Sequence, residues 1–358
     1  MKILFLTLGN ELVASSRTRV YQYLPHLAKL GAEATVIRYQ TGADYWWSAR
    51  MSPKGPLSTL LFKAGIAAVR GWHFFSQKRA LARLVAEAKN HDLVFIQKVV
   101  PQQSILDALG DVPVVFDFDD AIYANDSYDA DRIRAVVTKA KLAVVENDET
   151  AAFVRDCGTE PLLITGPIDC GRYRPAPRRD DGTVTVGWVG SGSTTPYLSM
   201  VAEPMRRLCA ERPNVRLSLI GAGHVDWVGV PVARHPWTLE TESGLLAAFD
   251  IGLMPLPDDP WTRGKGGYKI LQYMAVGAPT VCSPVGINAA MVVDGVTGFH
   301  AVDEERWYDR LKRLVDDADL RRRMGAAARK RAEEVYSFET DAPILFEALK
   351  RVTHGRRR

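Results

Sequence analysis

Twice in this chain a short and nearly uninterrupted apolar run leads into a glycine-bearing polar loop and then into residues at helical spacing. Lys2–Leu8 (KILFLTL) is followed by Gly9, Asn10, Ser15, Ser16 and Arg17. Val20–Leu30 comes next, with Val20, Tyr23, Leu24, Leu27 and Leu30 on one face and Gly31 as the stop. Val184–Val189 repeats the pattern, leading through GWVGSGSTTP to a helical stretch at Tyr197–Arg212. Such runs are the strands of a parallel sheet buried on both faces. Further strands are expected in the first half at Glu33–Arg38, Asp92–Gln97, Val112–Asp117, Leu142–Glu146 and Leu162–Thr165. In the second half they are expected at Arg216–Ile220, Val228–Ala233, Phe249–Met254 and a short run ending at Cys282. Between the halves lies GPIDCGRYRPAPRRDDG (Gly166–Gly182), whose proline, glycine and charge mark a linker. Three helices close the chain, at Glu304–Asp316, Asp319–Val335 and Thr340–Val352, before a terminal GRRR that is expected to fray. The fold class is α/β with two parallel-sheet domains, since 358 residues exceed one ordinary core.

With 47% apolar and 25% charged residues the chain can fill two such cores. No apolar run approaches the roughly 18 residues of a membrane span, and the first residues read as a strand rather than a leader. Cys157, Cys170, Cys209 and Cys282 are scattered, which fits a reducing, cytoplasmic setting and offers neither zinc nor disulfide spacing. A net charge of +4 is too slight to imply a nucleic-acid partner. One region is locally basic: nine Lys/Arg between Arg50 and Lys98 stand against Glu87 and Asp92. Within it Leu57, Leu60, Leu61, Ala64, Ala68, Trp72 and Phe75 form a single helical stripe. Two readings are open. Either the stripe packs on the sheet and the basic face is solvated, or the region at 50–98 leans peripherally on the anionic inner face of a membrane.

The chemistry concentrates in Pro255–Gly286. A strand stops at two prolines and two aspartates, and a loop carries Arg263, Gly264, Lys265, Gly266 and Gly267. A helix then starts at Tyr268 and holds Lys269 in its first turn. A helix N-terminus entered through glycine gathers N–H groups and the positive end of the dipole, so this point is expected to hold a diphosphate, with Lys265 and Lys269 beside it. The loop of Gly190, Ser191, Gly192 and Ser193 also runs from a strand toward a helix, where hydroxyl and amide donors can meet phosphate oxygens or simply make a tight turn. A dinucleotide fingerprint is missing: Thr195 and Asp226 stand where the third glycine belongs after Gly190 and Gly221. P-loop, nucleophile-elbow and zinc-protease motifs are missing too.

Asp117, Asp119 and Asp120 crowd the end of a strand, where α/β sheets place ligands. Three carboxylates so close need positive compensation. A metal, a sugar hydroxyl, the Arg17 and Arg19 loop, or an N-cap for the next helix are the readings the residues allow. His235 and Trp237 follow a strand at the mouth of the second domain, where the Trp can stack on a nucleobase or fill a core. The remaining histidines show no ligand spacing.

With these residues assembled, the chain resembles the GT-B glycosyltransferases, and specifically their large retaining family 4. The resemblance covers nearly the whole chain. It rests on KILFLT with SSRTRVYQYL, on VVFDFDDAIY, on GWVGSGSTTPYL and GLMPLPDD, and above all on GKGGYKILQYMAVGAPTVCSPVGIN with DGVTGF behind it. It implies two Rossmann-like domains facing a cleft: an acceptor domain at 1–167, joined by the last helix at 337–358, and a donor domain at 168–336. It further implies metal-independent transfer of a hexose, with retention, from a nucleoside diphosphate sugar to a hydroxyl acceptor on a glycan, lipid or natural product. No other cofactor is implied.

On that resemblance Lys265 and Lys269 stabilise the leaving diphosphate with the Gly266–Tyr268 backbone. Ser191 and Ser193 add donors, Gln272 holds the ribose, and His235 or Trp237 frames the base. Asp117, Asp119 or Asp120 orients sugar or acceptor, with Asp119 the candidate nearest the chemistry. The family's two glutamates eight positions apart fall here on Gly264 and Gln272, and GSGST lacks the usual Arg and Lys of the diphosphate loop. A sugar-nucleotide 2-epimerase and a non-catalytic nucleotide-sugar binder are the alternatives that those departures leave open.

Overall fold

A computed structural model describes residues 1–40, 56–125, 128–177 and 181–354. Arg50 and Lys54 of the basic region, Arg178 and Arg179 of the linker and the terminal tail lie outside the described residues, as do the side chains of Leu57, Leu60, Leu61, Lys63, Ala64, Ala68 and Arg70. The chain forms two compact units. One is Met1–Ile164 together with the last helix from Asp341, and the other is Thr165–Thr340.

The first unit holds six parallel strands in the order β2-β1-β3-β4-β5-β6. They are β1 (Lys2–Thr7), β2 (Glu33–Arg38), β3 (Leu93–Gln97), β4 (Val114–Asp117), β5 (Leu142–Val145) and β6 (Pro161–Leu163). Residues of β1, β3, β4 and β5 are apolar along most of their length because both faces are covered, and Leu4, Leu6, Val94, Ile96, Phe116 and Val145 are buried in one core. The second unit is built likewise, in the order β12-β11-β10-β7-β8-β9. Its strands are β7 (Val184–Val189), β8 (Val215–Ile220), β9 (Val232–His235), β10 (Ile251–Met254), β11 (Thr280–Cys282) and β12 (Gly298–His300). The α/β architecture with two parallel sheets is therefore the one the sequence implies.

Several expected elements shift, each for a local reason. Val20–Leu30 is not one helix: a π-helical turn at Arg17–Tyr21 precedes a helix at Leu24–Lys29. Pro25 near its start has no N–H to continue a ladder from the preceding turn. Tyr197–Arg212 opens as a 3-10 stretch, Thr195–Val201, before the helix Ala202–Glu211. The strand expected at Val228–Ala233 is Val232–His235, because Gly229 turns in the left-handed region and Pro231 cannot donate to a ladder. The short strand β12 and a helix at Glu242–Ala247 were not foreseen. Inside the linker Ile168 and Tyr173 are fully buried, and Ile168 N–H donates to the Tyr336 carbonyl at 2.7 Å.

The basic region forms the long helix Pro56–Ala88. Its buried face runs through His73, Ala80, Leu84 and Ala88. Trp72 and Phe75 of the expected apolar stripe lie roughly 100° and 200° round from His73, off that buried face. They are 65% and 71% exposed, and Phe74 is 53% exposed.

Candidate functional site

In the second sheet the chain leaves β7 toward β8 and β9 on one side and returns to β10 on the other. The two strands pair only through Ile251 with Val186 and Gly252 with Gly187. Beyond that the ladder gives way to a side chain: the Tyr273 hydroxyl accepts from Val189 N–H at 3.1 Å and donates to the Leu253 carbonyl at 3.2 Å. A crevice at the carboxyl ends of two such strands is where open α/β sheets bind ligands. The loops leaving β7 and β10 are the two glycine-rich stretches singled out above.

The helix Tyr268–Ala275 points its N-terminus there through Gly267, whose φ of 70° is left-handed. A Cβ at Gly267 would meet Met291 Sδ at 2.6 Å, so only glycine turns the chain into this helix. Lys269 in the first turn reaches the other loop: its Cε lies 2.9 Å from where a Cβ on Gly190 would stand, and its Nζ sits 5.1 Å from the Trp188 ring centre. Lys265 rests over the Trp261 ring at 4.7 Å. Gly266 is buried, while Lys265, Tyr268 and Lys269 are partly exposed. Ser191, Gly192 and Ser193 are exposed, with the two hydroxyls 2.8 Å apart. Thr195 Oγ1 accepts from Gly223 N–H at 2.8 Å, joining this loop to the one after β8. A cavity of about 290 Å³ opens between them, lined by Gly192, Thr195, Gly223 and His224 among others. The structure thus brings Gly190, Ser191, Gly192 and Ser193 together with Lys269 and the Gly266–Tyr268 turn.

His235 ends β9 at the same edge, and its carbonyl accepts from Gly221 N–H at 2.9 Å. Trp237 packs its Cβ 3.0 Å from where a Cβ on Gly221 would be. Its indole Nε1 donates to Glu242 Oε1 at 2.7 Å. The same oxygen accepts from Gln272 Nε2 at 3.0 Å, and Tyr173 Oη donates to Glu242 Oε2 at 2.6 Å. Gln272 and Glu242 are 3% and 2% exposed. Burial, with the Glu242 carboxylate next, raises the Tyr173 phenol to about 12, so it stays a donor. Glu242 and Tyr173 were missed at the level of sequence. Tyr173 lies in a stretch with no periodicity, and Glu242 opens a helix of six residues that carries no spacing signal.

The acidic group of the first unit is more fully compensated than its sequence suggested. Arg19 donates through Nε and Nη2 to Asp117 at 3.0 and 2.6 Å, through Nη1 to Glu146 at 3.0 Å, and to the Ile164 carbonyl at 2.9 Å. Asp117 is 1% exposed and its carboxylate is taken up by Arg19, whereas Asp119 and Asp120 are partly exposed. Arg17 is buried and donates to the Glu11 carbonyl at 3.0 Å, where it shapes the loop after β1. Lys98, at the end of β3, places Nζ 2.5 Å from Asp119 and 2.7 Å from Asp120. Its ammonium fills the position between those carboxylates that a metal reading would give to a cation. Among the described residues no three His, Cys, Asp or Glu side chains are grouped to hold a metal.

Lys98 holds this position with a φ of 56°, rare for a residue with a side chain and costing on the order of 1 kcal/mol or more. Burial would lower its pKa, but Asp119 and Asp120 more than offset that and leave it above the ordinary value. Burial likewise raises Asp117 to about 6, against the opposing pull of Arg19. It raises Glu146 as well. A separate cavity of about 930 Å³ opens at the opposite edge of this sheet, beside Val114, Leu142 and Arg351.

The architecture is that of the GT-B glycosyltransferases. Residues 183–317 match the family described as Glycosyl transferases group 1. Anabaena Alr3699/HepE, solved in complex with UDP-glucose, is similar over 98% of this chain and 99% of its own, with a TM-score of 0.67 and 16% identity. Sucrose-phosphate synthase from Thermosynechococcus elongatus is similar over 99% of this chain and 100% of its own, with a TM-score of 0.70 and 14% identity. A curated relative is the GDP-mannose-dependent monoacylated alpha-(1-6)-phosphatidylinositol monomannoside mannosyltransferase of Corynebacterium glutamicum. It is 26% identical over 213 residues, 51% of this chain, and the match spans 54% of that protein, about half its length.

Proposed function

We propose that this chain is a family 4 glycosyltransferase that moves a hexose, with retention of configuration and without a metal, from a nucleoside diphosphate sugar to a hydroxyl acceptor. The observation that carries the reading is Lys269. It stands in the first turn of the helix that starts at Gly267 and reaches the Gly190 loop across the strand switch point. Charge that develops on a departing diphosphate meets a helix dipole, Lys269 and the loop of Ser191 and Ser193 in one place, with Lys265 in the loop that leads into the helix. Lys265 and Lys269 are the catalytic groups of this reading, and Gln272 with His235 or Trp237 holds the nucleoside. The match at 183–317 supports it, because that segment contains the whole constellation.

Asp119 and Asp120, partly exposed and both paired with Lys98, are assigned to the sugar or acceptor hydroxyls. Carboxylates already paired with an ammonium orient hydroxyls by accepting hydrogen bonds rather than attack as nucleophiles. The exposed Trp72, Phe74 and Phe75, followed by Lys78, Arg79 and Arg83, support a peripheral contact with an anionic bilayer carrying a lipid acceptor. No helix among the described residues is long and apolar enough to cross a membrane.

The test is a thermal-shift and turnover screen with UDP-, GDP-, ADP- and dTDP-sugars, followed by NMR of the product anomer. One donor class should raise the midpoint by mass action. Lys269→Ala should lower turnover by about two to three orders of magnitude. Wild-type turnover in that variant, or product formed without any acceptor, overturns the assignment.

A further inference from the structure

The departure at Gln272 has a partner thirty positions upstream. Glu242 is buried beneath it, and three donors converge on its carboxylate: Trp237 Nε1 at 2.7 Å, Gln272 Nε2 at 3.0 Å and Tyr173 Oη at 2.6 Å. Gln272 Nε2 also lies 3.3 Å from Tyr173 Oη, whose own proton is given to Glu242. A carboxylate and a hydroxyl lone pair both accept, so they fix which end of the Gln272 amide faces inward. Nε2 is drawn to them, and the planar amide directs Oε1 to the other side. The same Glu242 oxygen holds the Trp237 indole, so one buried carboxylate sets both side chains.

We propose that Glu242 is the positioning residue of the nucleoside subsite: it turns Gln272 so that Oε1 accepts from a ribose hydroxyl, and it fixes Trp237 beside the base. The inference rests on the reading that Gln272 meets the ribose. It also accounts for glutamine at that position. A glutamate there would set a second carboxylate about 3 Å from Glu242 with one buried acceptor facing another, which repels unless one takes a proton. The acid is moved from the helix at Tyr268–Ala275 to the one at Glu242–Ala247, and a neutral amide relays its orientation outward.

Binding is measured by calorimetry with UDP, GDP, ADP and dTDP, and with inorganic pyrophosphate, which needs the Lys265 and Lys269 end alone. For the nucleotide that wild type binds, Gln272→Glu is expected to weaken affinity about tenfold to a hundredfold, with pyrophosphate within twofold of wild type. Glu242→Gln alone is expected to weaken the nucleotide in the same selective way, and it serves on its own if Gln272→Glu does not fold. Combining the two should recover part of the loss, because an amide at 242 can donate to a carboxylate at 272. Equal nucleotide affinity in either single variant, or equal loss of pyrophosphate, overturns the inference while leaving the functional reading in place. Strictly additive losses in the double variant do the same. A wild-type protein that binds pyrophosphate but none of the four nucleotides overturns the functional reading, and this inference with it.

Discussion

Arg19→Met tests the polar core of the first unit, because it keeps the bulk of the side chain and deletes one charge. Arg19 is 2% exposed and is the cation that holds Asp117, Glu146 and the end of β6 around one point. Removing one partner of a buried ion pair costs about 3–5 kcal/mol, since the carboxylates stay behind without compensation. At about 1.4 kcal/mol per tenfold, amides of β4 and β5 should exchange roughly two to three and a half orders of magnitude faster. Hydrogen-exchange mass spectrometry of peptides covering 113–118 and 142–146 reads this, and peptides covering 184–189 and 251–254 serve as the control. The pH dependence follows from the raised carboxyl pKa values. A carboxyl whose folded pKa exceeds its unfolded one contributes stability that is complete below the unfolded value and lost as pH rises through the folded value. Asp117 lies at about 6 and Glu146 is also raised, and without the guanidinium both rise further. The penalty of Arg19→Met should therefore be larger at pH 7.5 than at pH 5, after correction for intrinsic exchange. A change under tenfold in the first unit, an equal change in both units, or a penalty independent of pH would refute the reasoning.

Asp341 is another carboxyl in that neighbourhood; burial raises it to about 7 against the pull of Arg19, and its Oδ2 has no hydrogen-bond partner among the described residues. Asp341→Asn should leave first-unit exchange near wild type at pH 4 and slow it at pH 8, flattening the pH profile; an unchanged profile in the variant contradicts this. Replacing Trp72, Phe74 and Phe75 together by Ser should abolish co-sedimentation with vesicles containing anionic lipid and leave first-unit exchange unchanged, since all three side chains are exposed. Binding retained by that variant, or equal binding of wild type to neutral vesicles, removes the membrane reading.

The elements legible in the sequence were those whose residues report their own surroundings. A strand covered on both faces must be apolar along its length, so Val184–Val189 could be read residue for residue. Gly267 and Lys269 mark a helix N-terminus by local chemistry alone, and the structure puts them at the switch point. What stayed hidden was which polar group meets which. The residues around Asp117 allow several partners, the Arg17 and Arg19 loop among them; the structure selects Arg19, 98 positions away, and adds Glu146 to the same guanidinium. Lys98 read as one more basic residue of a solvated run, although a left-handed backbone turns it onto Asp119 and Asp120. Gln272 read as a weakened glutamate, when its partner Tyr173 stands 99 positions away inside an apparent linker.

In each case the pairing is decided by desolvation. A carboxylate taken out of water must find donors wherever the fold supplies them, and sequence separation does not enter that requirement. A polar substitution in a site of this kind is therefore read from its buried neighbours rather than from the residue it replaces. At 272 that neighbour is the carboxyl of Glu242, one hydrogen bond away.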